Sequence, residues 1–253
     1  SPKGPRLSLY HGLTAHGGQY VAPELRSEVS GYYGSEQAVR EAIEGHPRRL
    51  RGESIRVAVI GLGVGNLAAL GRPGDLFRFY EIDPEVVRLA EGEGGHFSFL
   101  KDSPAQVEVV LGDGRISLER ELASGAERFD VLVLDAFSGD AIPVHLLTRE
   151  AFDIYLARLR DEESVITAHV SNRYFQLVPV VWEITRAMGL SARVVDGAAK
   201  DLCEECSATW MVVARDEAGL QRFGAMKGTS ERLRELRKSL WTDDYASLFD
   251  VRQ

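Results

Sequence analysis

The fold is decided by the stretch Ile55-Arg-Val-Ala-Val-Ile-Gly61-Leu-Gly63-Val-Gly65-Asn66. Its first half is an almost continuous apolar run, as a strand buried on both faces of a parallel sheet requires. Its second half spaces three glycines as Gly-x-Gly-x-Gly, and a helical pattern follows from Leu67 to Leu70. Glycines at such a strand-to-helix turn allow a tight bend and the close approach of a nucleotide to the backbone. An ordinary turn without a ligand is the alternative.

Strands and helices alternate along most of the remaining chain. We predict strands over residues 76–82, 106–111, 129–134 and 164–170, each followed by a helix, and a closing antiparallel pair over 192–196 and 208–214. This alternation predicts a parallel sheet covered on both faces, with ligands bound beyond the carboxyl ends of the strands. Residues 7–22 predict a small β-hairpin and residues 35–43 a helix. We therefore divide the chain into an N-terminal segment, 1–50, and a Rossmann-like nucleoside-binding domain, 51–253.

The glycine spacing favours one class of nucleoside. A dinucleotide-binding loop reads Gly-x-Gly-x-x-Gly, and this chain lacks the third glycine at that place. The loop therefore predicts a nucleoside of the S-adenosylmethionine type, and we reject a dinucleotide-dependent dehydrogenase.

Carboxylates follow three of the predicted strands, where ligands of such sheets bind. Glu81 ends the second strand and is expected to accept hydrogen bonds from ribose hydroxyl groups. Asp113, followed by Gly114, ends the third strand and is expected to accept the amino group of an adenine. Asp135 ends the fourth strand, at the reacting end of the nucleoside, where it would hold or deprotonate an amine, and Asp140 follows five residues later. The alternative is a solvated strand end for Glu81, a turn for Asp113, and a helix cap or loop carboxylate for Asp135 and Asp140.

Composition bounds the class of protein. The chain has 253 residues, 44% of them apolar, and its 30 basic and 38 acidic residues give a formal net charge of −8. These are values typical of globular proteins, and the excess of acidic residues argues against a nucleic-acid-binding surface.

No run of 18 apolar residues occurs, so we expect no membrane-spanning helix, and residues 1–6 lack the apolar core of a signal peptide. The two cysteines, Cys203 and Cys206, form no disulfide framework and favour a reducing, cytoplasmic setting.

Histidines and cysteines give little support for a metal site. His11 and His16 lie five residues apart in the predicted hairpin with no apparent third ligand, and Cys203-x-x-Cys206 has no second pair. We therefore expect no metal. His169 follows the fifth strand and would either face the pocket or pack in the core.

Several segments match the pattern of one family. They are His11 to Gln19, Tyr32-Tyr33, Val59 to Gly65, Tyr80 to Pro84, Gly112 to Gly114, Asp135 to Leu147, His169 to Tyr174 and Trp241 to Tyr245. Together they resemble the spermidine synthase (polyamine aminopropyltransferase) family over nearly the whole chain, most of all the spermidine-synthase-like domains that bacteria fuse behind membrane-transporter-like helices. The resemblance implies the α/β fold of class I S-adenosylmethionine-dependent methyltransferases, with a seven-stranded sheet and a short N-terminal β-hairpin region.

The resemblance also implies an activity. It is the transfer of an aminopropyl group from decarboxylated S-adenosylmethionine to an amine such as putrescine, with release of methylthioadenosine and without a metal. The residues implied to hold the nucleoside are Gly61, Gly63, Gly65, Glu81, Asp113, Gly114 and Gln19, the last touching the nucleoside or its sulfur-linked chain. The residues implied on the amine side are Asp135, which would orient and deprotonate the amine, with Tyr32, Tyr33, Asp140 and His169 around it.

The sequence departs from the family pattern on the amine side. The family has an aspartate in the glycine loop that binds the aminopropyl ammonium, and this chain has Val64 there. The second aspartate of the family's Asp-x-x-Asp is Ser138 here, with Asp140 two residues later. Residues 202–206 replace the family's Tyr-Pro segment, although Trp210 keeps its place. The nucleoside half of the site is therefore better supported by the sequence than the amine half.

Two other functions stay open on these residues. One is a methyltransferase that uses intact S-adenosylmethionine, and the other is a non-catalytic nucleoside-binding domain of a membrane protein. We expect a small-molecule amine as substrate, no nucleic-acid partner and a homodimer or homotetramer. We expect a cytoplasmic protein, or the cytoplasmic domain of a longer, membrane-fused one.

Overall fold

A two-stranded hairpin opens the structured part of the chain. The computed structural model describes residues 4–11, 14–29, 31–34, 37–136, 143–172, 174–197, 208–223 and 239–252. Strands β1 (Arg6–His11) and β2 (Thr14–Tyr20) pair antiparallel and confirm the predicted hairpin. Among the described residues this hairpin is a sheet of its own, separate from the main one.

Seven strands form the main sheet. They are β3 (Arg56–Ile60), β4 (Leu76–Glu81), β5 (Gln106–Leu111), β6 (Val131–Leu134), β7 (Val165–His169), β8 (Ser191–Gly197) and β9 (Ala208–Ala214). Their order is β5-β4-β3-β6-β7-β9-β8. The first five strands of that order run parallel, and β9 runs antiparallel to β7 and β8. The predicted seven-stranded sheet and its closing antiparallel pair are confirmed.

Helices connect these strands, and polar caps or prolines mark several of their starts. They are α1 (Ala38–Glu44), α2 (Pro47–Leu50), α3 (Pro84–Ala90), α4 (Phe99–Asp102), α5 (Gly114–Ala123), α6 (Arg149–Arg158), α7 (Val178–Ala187) and α8 (Glu217–Gln221). The side chains of Asp83, Asp113 and Thr148 accept hydrogen bonds from first-turn amides of α3, α5 and α6. Residues 67–70, predicted as helical, lie in a 3₁₀ helix (Asn66–Leu70). Helix α7 starts at residue 178 because Pro179 suits only the first turn of a helix.

The central strands alternate between two cores. Val57 and Val59 of β3 face one apolar core, whereas Ala58 and Ile60 face the other. The first core also contains apolar residues of α1 and α8, and the second contains residues of α5, α6 and α7. Burial on both faces explains the continuous apolar run from which the fold was predicted. Because α1 shares a core with the sheet, the N-terminal segment packs on the α/β part, and the boundary at residue 50 stays a prediction.

Several sequence-based predictions lie outside the described residues. They concern Asp140, Ser138 and the Cys203 and Cys206 pair. In the part of the chain that is described, we find no helix with the length and apolar character needed to cross a membrane.

Candidate functional site

A cleft opens at the carboxyl ends of β3, β4, β5 and β6, as the sheet topology predicts. It has a volume of ≈ 820 Å³ including its open mouth, which falls in the range of small-molecule sites. The carboxylate and imidazole side chains in its described lining are those of Glu81, Asp83, Asp113, Asp135, His16 and His145. Its apolar lining includes Ile60, Leu62, Ile82, Val86, Pro143 and Leu146.

The glycine loop needs its glycines for the protein's own packing. Gly61, Gly63 and Gly65 all have positive φ, at 100°, 55° and 82°. A Cβ atom on Gly61 would lie 2.3 Å from the carbonyl oxygen of Asp135, and one on Gly63 would lie 2.4 Å from that of His16. Gly61 and Gly63 line the cleft. Gly65 lies against Leu100 and outside the described lining, so its role toward a ligand stays a prediction.

Glu81 is held in place by two backbone amides. Its Oε2 atom accepts a hydrogen bond from the amide of Leu62 at 3.0 Å, and its Oε1 atom accepts one from the amide of Asp83 at 2.9 Å. Because each carboxylate oxygen has two acceptor sites, both oxygens keep the capacity to accept a hydroxyl proton. The strand end therefore presents an oriented carboxylate to the cleft, suited to a vicinal diol such as that of a ribose.

Asp113 has a structural and a cleft-facing oxygen. Its Oδ1 atom caps α5 by accepting a hydrogen bond from the amide of Ile116 at 2.9 Å. Its Oδ2 atom lies 2.7 Å from Nε2 of His145. Asp113 thus caps α5 and also lines the cleft, with Gly114 beside it, and its contact with an adenine stays a prediction. Sequence reasoning gave no role to His145, although it lies within the segment Asp135 to Leu147 that matched the family pattern.

Asp135 lies at the centre of a buried polar cluster, which we call the Asp135 cluster. Its side chain is only 3% exposed, and its two oxygens accept hydrogen bonds from different elements. The hydroxyl group of Tyr33 donates to Oδ2, and Nδ1 of His169 lies 2.8 Å from Oδ1. The ring of His169 stacks on Trp210 with centroids 4.7 Å apart, and Trp210 is itself fully buried.

The Asp135 cluster joins three residues that the sequence assigned to the amine side. Tyr33 and His169 are far from Asp135 in sequence, yet both bond its carboxylate directly. Of the other predicted residues on this side, Asp140 lies outside the described residues, and nothing is described of the Tyr32 side chain.

Gln19 has an internal role in the structure. It is buried, its Oε1 atom accepts from the amide of Ser98 at 2.9 Å, and its Nε2 atom donates to Ser98 Oγ and to the carbonyl oxygen of Arg26. It lies outside the described lining of the cleft. Gln19 therefore ties β2 to the segment before α4, and its predicted contact with the nucleoside stays a prediction.

Val64 occupies the glycine-loop position at which the spermidine synthase family has an aspartate. Its side chain is fully buried and belongs to a small apolar cluster with Phe97 and Phe99. Its amide donates to the carbonyl oxygen of His16 at 3.2 Å. The position is therefore used for packing, and His16 of the hairpin faces the cleft beside Gly61 and Gly63.

The charge of the cleft is predominantly acidic. Four carboxylates and two histidines line it, and no Lys or Arg occurs in its described lining. Tyr80 also lines the cleft, and burial, together with the hydrogen bond to Glu121, raises the pKa of its phenol. Among the described residues no three His, Cys, Asp or Glu side chains group as metal ligands would. Such a site suits a cationic organic ligand better than a phosphate-bearing one.

Comparison with known sequences gives partial matches. No family model matches the chain. A polyamine aminopropyltransferase from Vibrio vulnificus is 35% identical over 117 residues, which are 45% of this chain and 37% of that protein. An N-terminal histidine N-methyltransferase from Emericella nidulans is 31% identical over 147 residues, 56% of this chain and 25% of that protein. The chain thus spans about a third of the aminopropyltransferase and a quarter of the methyltransferase.

Comparison with solved structures concerns the fold. The spermidine synthase from Thermotoga maritima superposes with a TM-score of 0.53 at 18% identity, over 81% of this chain and 66% of that one. Human methyltransferase-like protein 13, solved in complex with SAH, gives a TM-score of 0.54 at 18% identity, over 82% of this chain and 94% of that one. The chain has the fold of the S-adenosylmethionine-dependent methyltransferases. Spermidine synthases and methyltransferases both appear among its neighbours, so the fold leaves the transferred group open.

Proposed function

We propose that this chain is a transferase that binds decarboxylated S-adenosylmethionine and transfers its aminopropyl group to an amine such as putrescine. The observation that carries the proposal is the Asp135 cluster, a carboxylate held by Tyr33 and His169 directly after β6. A domain that only bound a nucleoside would have no need of a buried, doubly anchored carboxylate at that place. The partial identity to a polyamine aminopropyltransferase supports the same activity.

The reaction asks little of the protein beyond alignment and proton transfer. The amine nitrogen forms a bond to the carbon next to the sulfonium, and the carbon–sulfur bond breaks with its electron pair passing to sulfur. Asp135 would keep the attacking amine neutral by accepting its proton. Tyr33 and His169 would fix the carboxylate so that its free lone pairs point at the amine.

The residues of the cleft fit a nucleoside with a cationic side chain. Glu81 would bind the ribose hydroxyl groups through the free acceptor sites described above, and Asp113, which lines the cleft at the end of β5, would bind the adenine. The surplus of carboxylates would favour a sulfonium and an amine over an anionic substrate.

Calorimetric titration with three ligands tests the proposal. Decarboxylated S-adenosylmethionine, intact S-adenosylmethionine and methylthioadenosine would be titrated into the wild-type protein, and aminopropyl transfer would be followed by mass spectrometry. We expect methylthioadenosine to bind, the decarboxylated form to bind more tightly than the intact one, and putrescine to be extended. Failure of all three ligands to bind would contradict the nucleoside site itself.

A methyltransferase is the second candidate, and Val64 favours it. Without a carboxylate at that position, one reason to prefer the decarboxylated form is missing, because an ammonium group without a counter-charge is costly to bury. The identity to a histidine N-methyltransferase points the same way. Equal or tighter binding of intact S-adenosylmethionine, with methyl transfer to an amine, would replace the aminopropyl assignment.

A further inference from the structure

Residues 241–245 resemble the family pattern but have no role in the proposed function. The structure places residues 241–243 behind one wall of the cleft. That wall is formed by residues 143–146, of which Pro143, His145 and Leu146 line the cleft and Val144–Leu146 form a 3₁₀ helix. We call residues 143–146 the wall turn. A ligand in the cleft would contact the wall turn, so the contacts that hold the turn in place also shape the site.

Two side chains hold successive carbonyl groups of the wall turn. Arg115 of α5 donates to the carbonyl oxygen of His145 at 2.8 Å, and Tyr155 of α6 donates to that of Leu146 at 3.1 Å. Tyr155 is fully buried, so the core fixes its position. The arginine side chain has many rotamers, and ordering it is costly unless further partners hold it. The contact to His145 therefore depends on what else Arg115 binds.

Asp243 is the residue that orders Arg115. Both oxygens of its carboxylate accept hydrogen bonds from the guanidinium group, and this bidentate geometry fixes the plane of the group. The hydroxyl of Thr148 donates to Oδ1 of Asp243 at 2.8 Å and accepts from Arg115 at 3.2 Å. Because Thr148 is the buried N-cap of α6, Asp243 connects the first turn of α5 to the start of α6.

The backbone around Asp243 is anchored as well. Trp241 is fully buried and belongs to the same core as Leu146. Its carbonyl oxygen accepts a hydrogen bond from the amide of Arg149 at 2.9 Å, and the amide of Asp243 donates to the carboxylate of Glu150 at 2.9 Å. Residues 241–243 are therefore fixed on α6 before the carboxylate reaches Arg115.

We propose that Asp243 and Arg115 are positioning residues of the cleft, which together hold the wall turn where a ligand contacts it. An ion pair that served stability alone could lie anywhere on the surface, whereas this one ends on the carbonyl oxygen of a cleft-lining residue, His145. A site that is ordered before binding costs less entropy on binding. This inference rests on the proposed nucleoside site and concerns residues to which the proposed function gives no role.

A double-mutant cycle tests the proposal. Methylthioadenosine would be titrated by calorimetry into wild type, Asp243→Ala, Arg115→Met and the double variant, and melting curves would establish that each is folded. Arg115→Met keeps an apolar stem and removes the donor. Glu163→Ala is the matched control, because Glu163 accepts two hydrogen bonds from Arg51 in the same bidentate manner, at 2.9 and 2.7 Å, outside the described lining of the cleft.

We expect each single variant to bind methylthioadenosine about 3- to 5-fold more weakly, as the loss of a partly exposed ion pair implies. The double variant should bind no more weakly than Arg115→Met, because both changes act through one contact. Glu163→Ala should lower the melting temperature by a similar amount and leave the affinity unchanged. A merely structural role of Asp243 would give the same result as that control.

Amide hydrogen exchange gives a second readout. The amides of Leu146 and Leu147 donate within the wall turn, to the carbonyl oxygens of Pro143 and Val144. Their exchange should become faster in Asp243→Ala and stay as in wild type in Glu163→Ala. Unchanged affinity in a folded Asp243→Ala protein, or unchanged exchange in the turn, would overturn the proposal. If wild type bound no methylthioadenosine, the proposed nucleoside site would fail, whereas the exchange rates would still decide whether Asp243 holds the wall turn.

Discussion

The two halves of the cleft are built in different ways. On the nucleoside half, Glu81 and Asp113 are oriented by amides no more than 19 residues away in sequence. On the amine half, Asp135 is oriented by Tyr33 and His169, which are 102 and 34 residues away. The first half is a set of local strand-end motifs, and the second is an assembly of side chains from separate elements.

Because of this difference, we expect the nucleoside half of the cleft to determine ligand affinity and the amine half to determine the reaction. A strand end with its following turn orients a carboxylate wherever the sheet forms, so many enzymes of this fold share the first half. The Asp135 cluster depends on the packing of the segment Gly31–Tyr33 against the sheet, and under the proposed function it would determine which group is transferred. Variants in the two halves should therefore divide into those that lose affinity for the nucleoside and those that lose turnover.

The largest effect is expected for Asp135→Asn. The amide cannot accept a proton from the amine, so kcat should fall about 10²- to 10⁴-fold, whereas the affinity for methylthioadenosine should stay within about twofold. Steady-state kinetics and calorimetry measure the two quantities. Asp153→Asn, an exposed change on α6, is the control. Unchanged turnover would remove Asp135 from the mechanism.

Glu81→Gln should have the next largest effect, on affinity. The Glu81 carboxylate now offers two oxygens, and each accepts a hydrogen bond from one backbone amide. The glutamine side chain has only one acceptor oxygen, so either a backbone amide or the ribose loses its hydrogen-bond partner. We expect roughly 10- to 100-fold weaker binding of methylthioadenosine, in line with the loss of a hydrogen bond to a charged group. Glu85→Gln on the exposed side of α3 should bind normally. Equal affinities of the two variants would place the ribose elsewhere.

Tyr33→Phe should produce a smaller loss, in turnover alone. The change removes the hydroxyl that donates to Asp135 and leaves His169 as the remaining described donor to that carboxylate. We expect kcat to fall about tenfold with the affinity for methylthioadenosine unchanged. Tyr245→Phe removes a similar tyrosine–aspartate hydrogen bond, to Asp250, at an exposed site and serves as the matched control. A loss of nucleoside affinity in Tyr33→Phe would contradict the division of the cleft into two halves.

The smallest effect is expected for Asp243→Asn, behind the nucleoside half. Arg115, which also holds the His145 carbonyl oxygen, donates to both oxygens of Asp243 and keeps the pKa of that carboxyl below its ordinary value of 3.8. A lowered pKa stabilises the folded protein above pH 3.8, and this contribution is lost as pH falls through the folded-state value.

Urea unfolding at several pH values measures this contribution. At pH 7 the free energy of unfolding of Asp243→Asn should be lower by about 0.5–1 kcal/mol, because the ion pair is partly exposed. The difference should shrink as pH falls below 3.8. Asp244→Asn at the neighbouring exposed position is the control. A difference that did not change with pH would mean that the charge of Asp243 is not what stabilises this contact.

Local patterns predicted the fold well. The apolar run of β3, the glycine loop and the caps Asp83 and Asp113 act within a few residues, so their structure follows from their own sequence. Helix α7 begins at Val178 because Pro179 suits only the first turn of a helix, and this effect is also local. The same local logic placed Glu81 and Asp113 at the cleft.

Long-range contacts were beyond such patterns. The side-chain amide of Gln19 forms hydrogen bonds with Ser98 and Arg26, and His145 forms one with Asp113. These contacts depend on which segments the folded chain brings side by side. The strand end pointed to Asp135 and the resemblance to a family pointed to Tyr33, but neither predicted the hydrogen bond between them.

The sequence by itself determined the order of strands and helices and the carboxylates at the strand ends, because periodicity, caps and turns act over short stretches of chain. The tertiary structure alone decided that Asp135 is shared between Tyr33 and His169, that Val64 packs against Phe97 and Phe99, and that His145 stands beside Asp113. The physical reason is that these contacts join residues distant in sequence, and burial in the assembled core selects their partners.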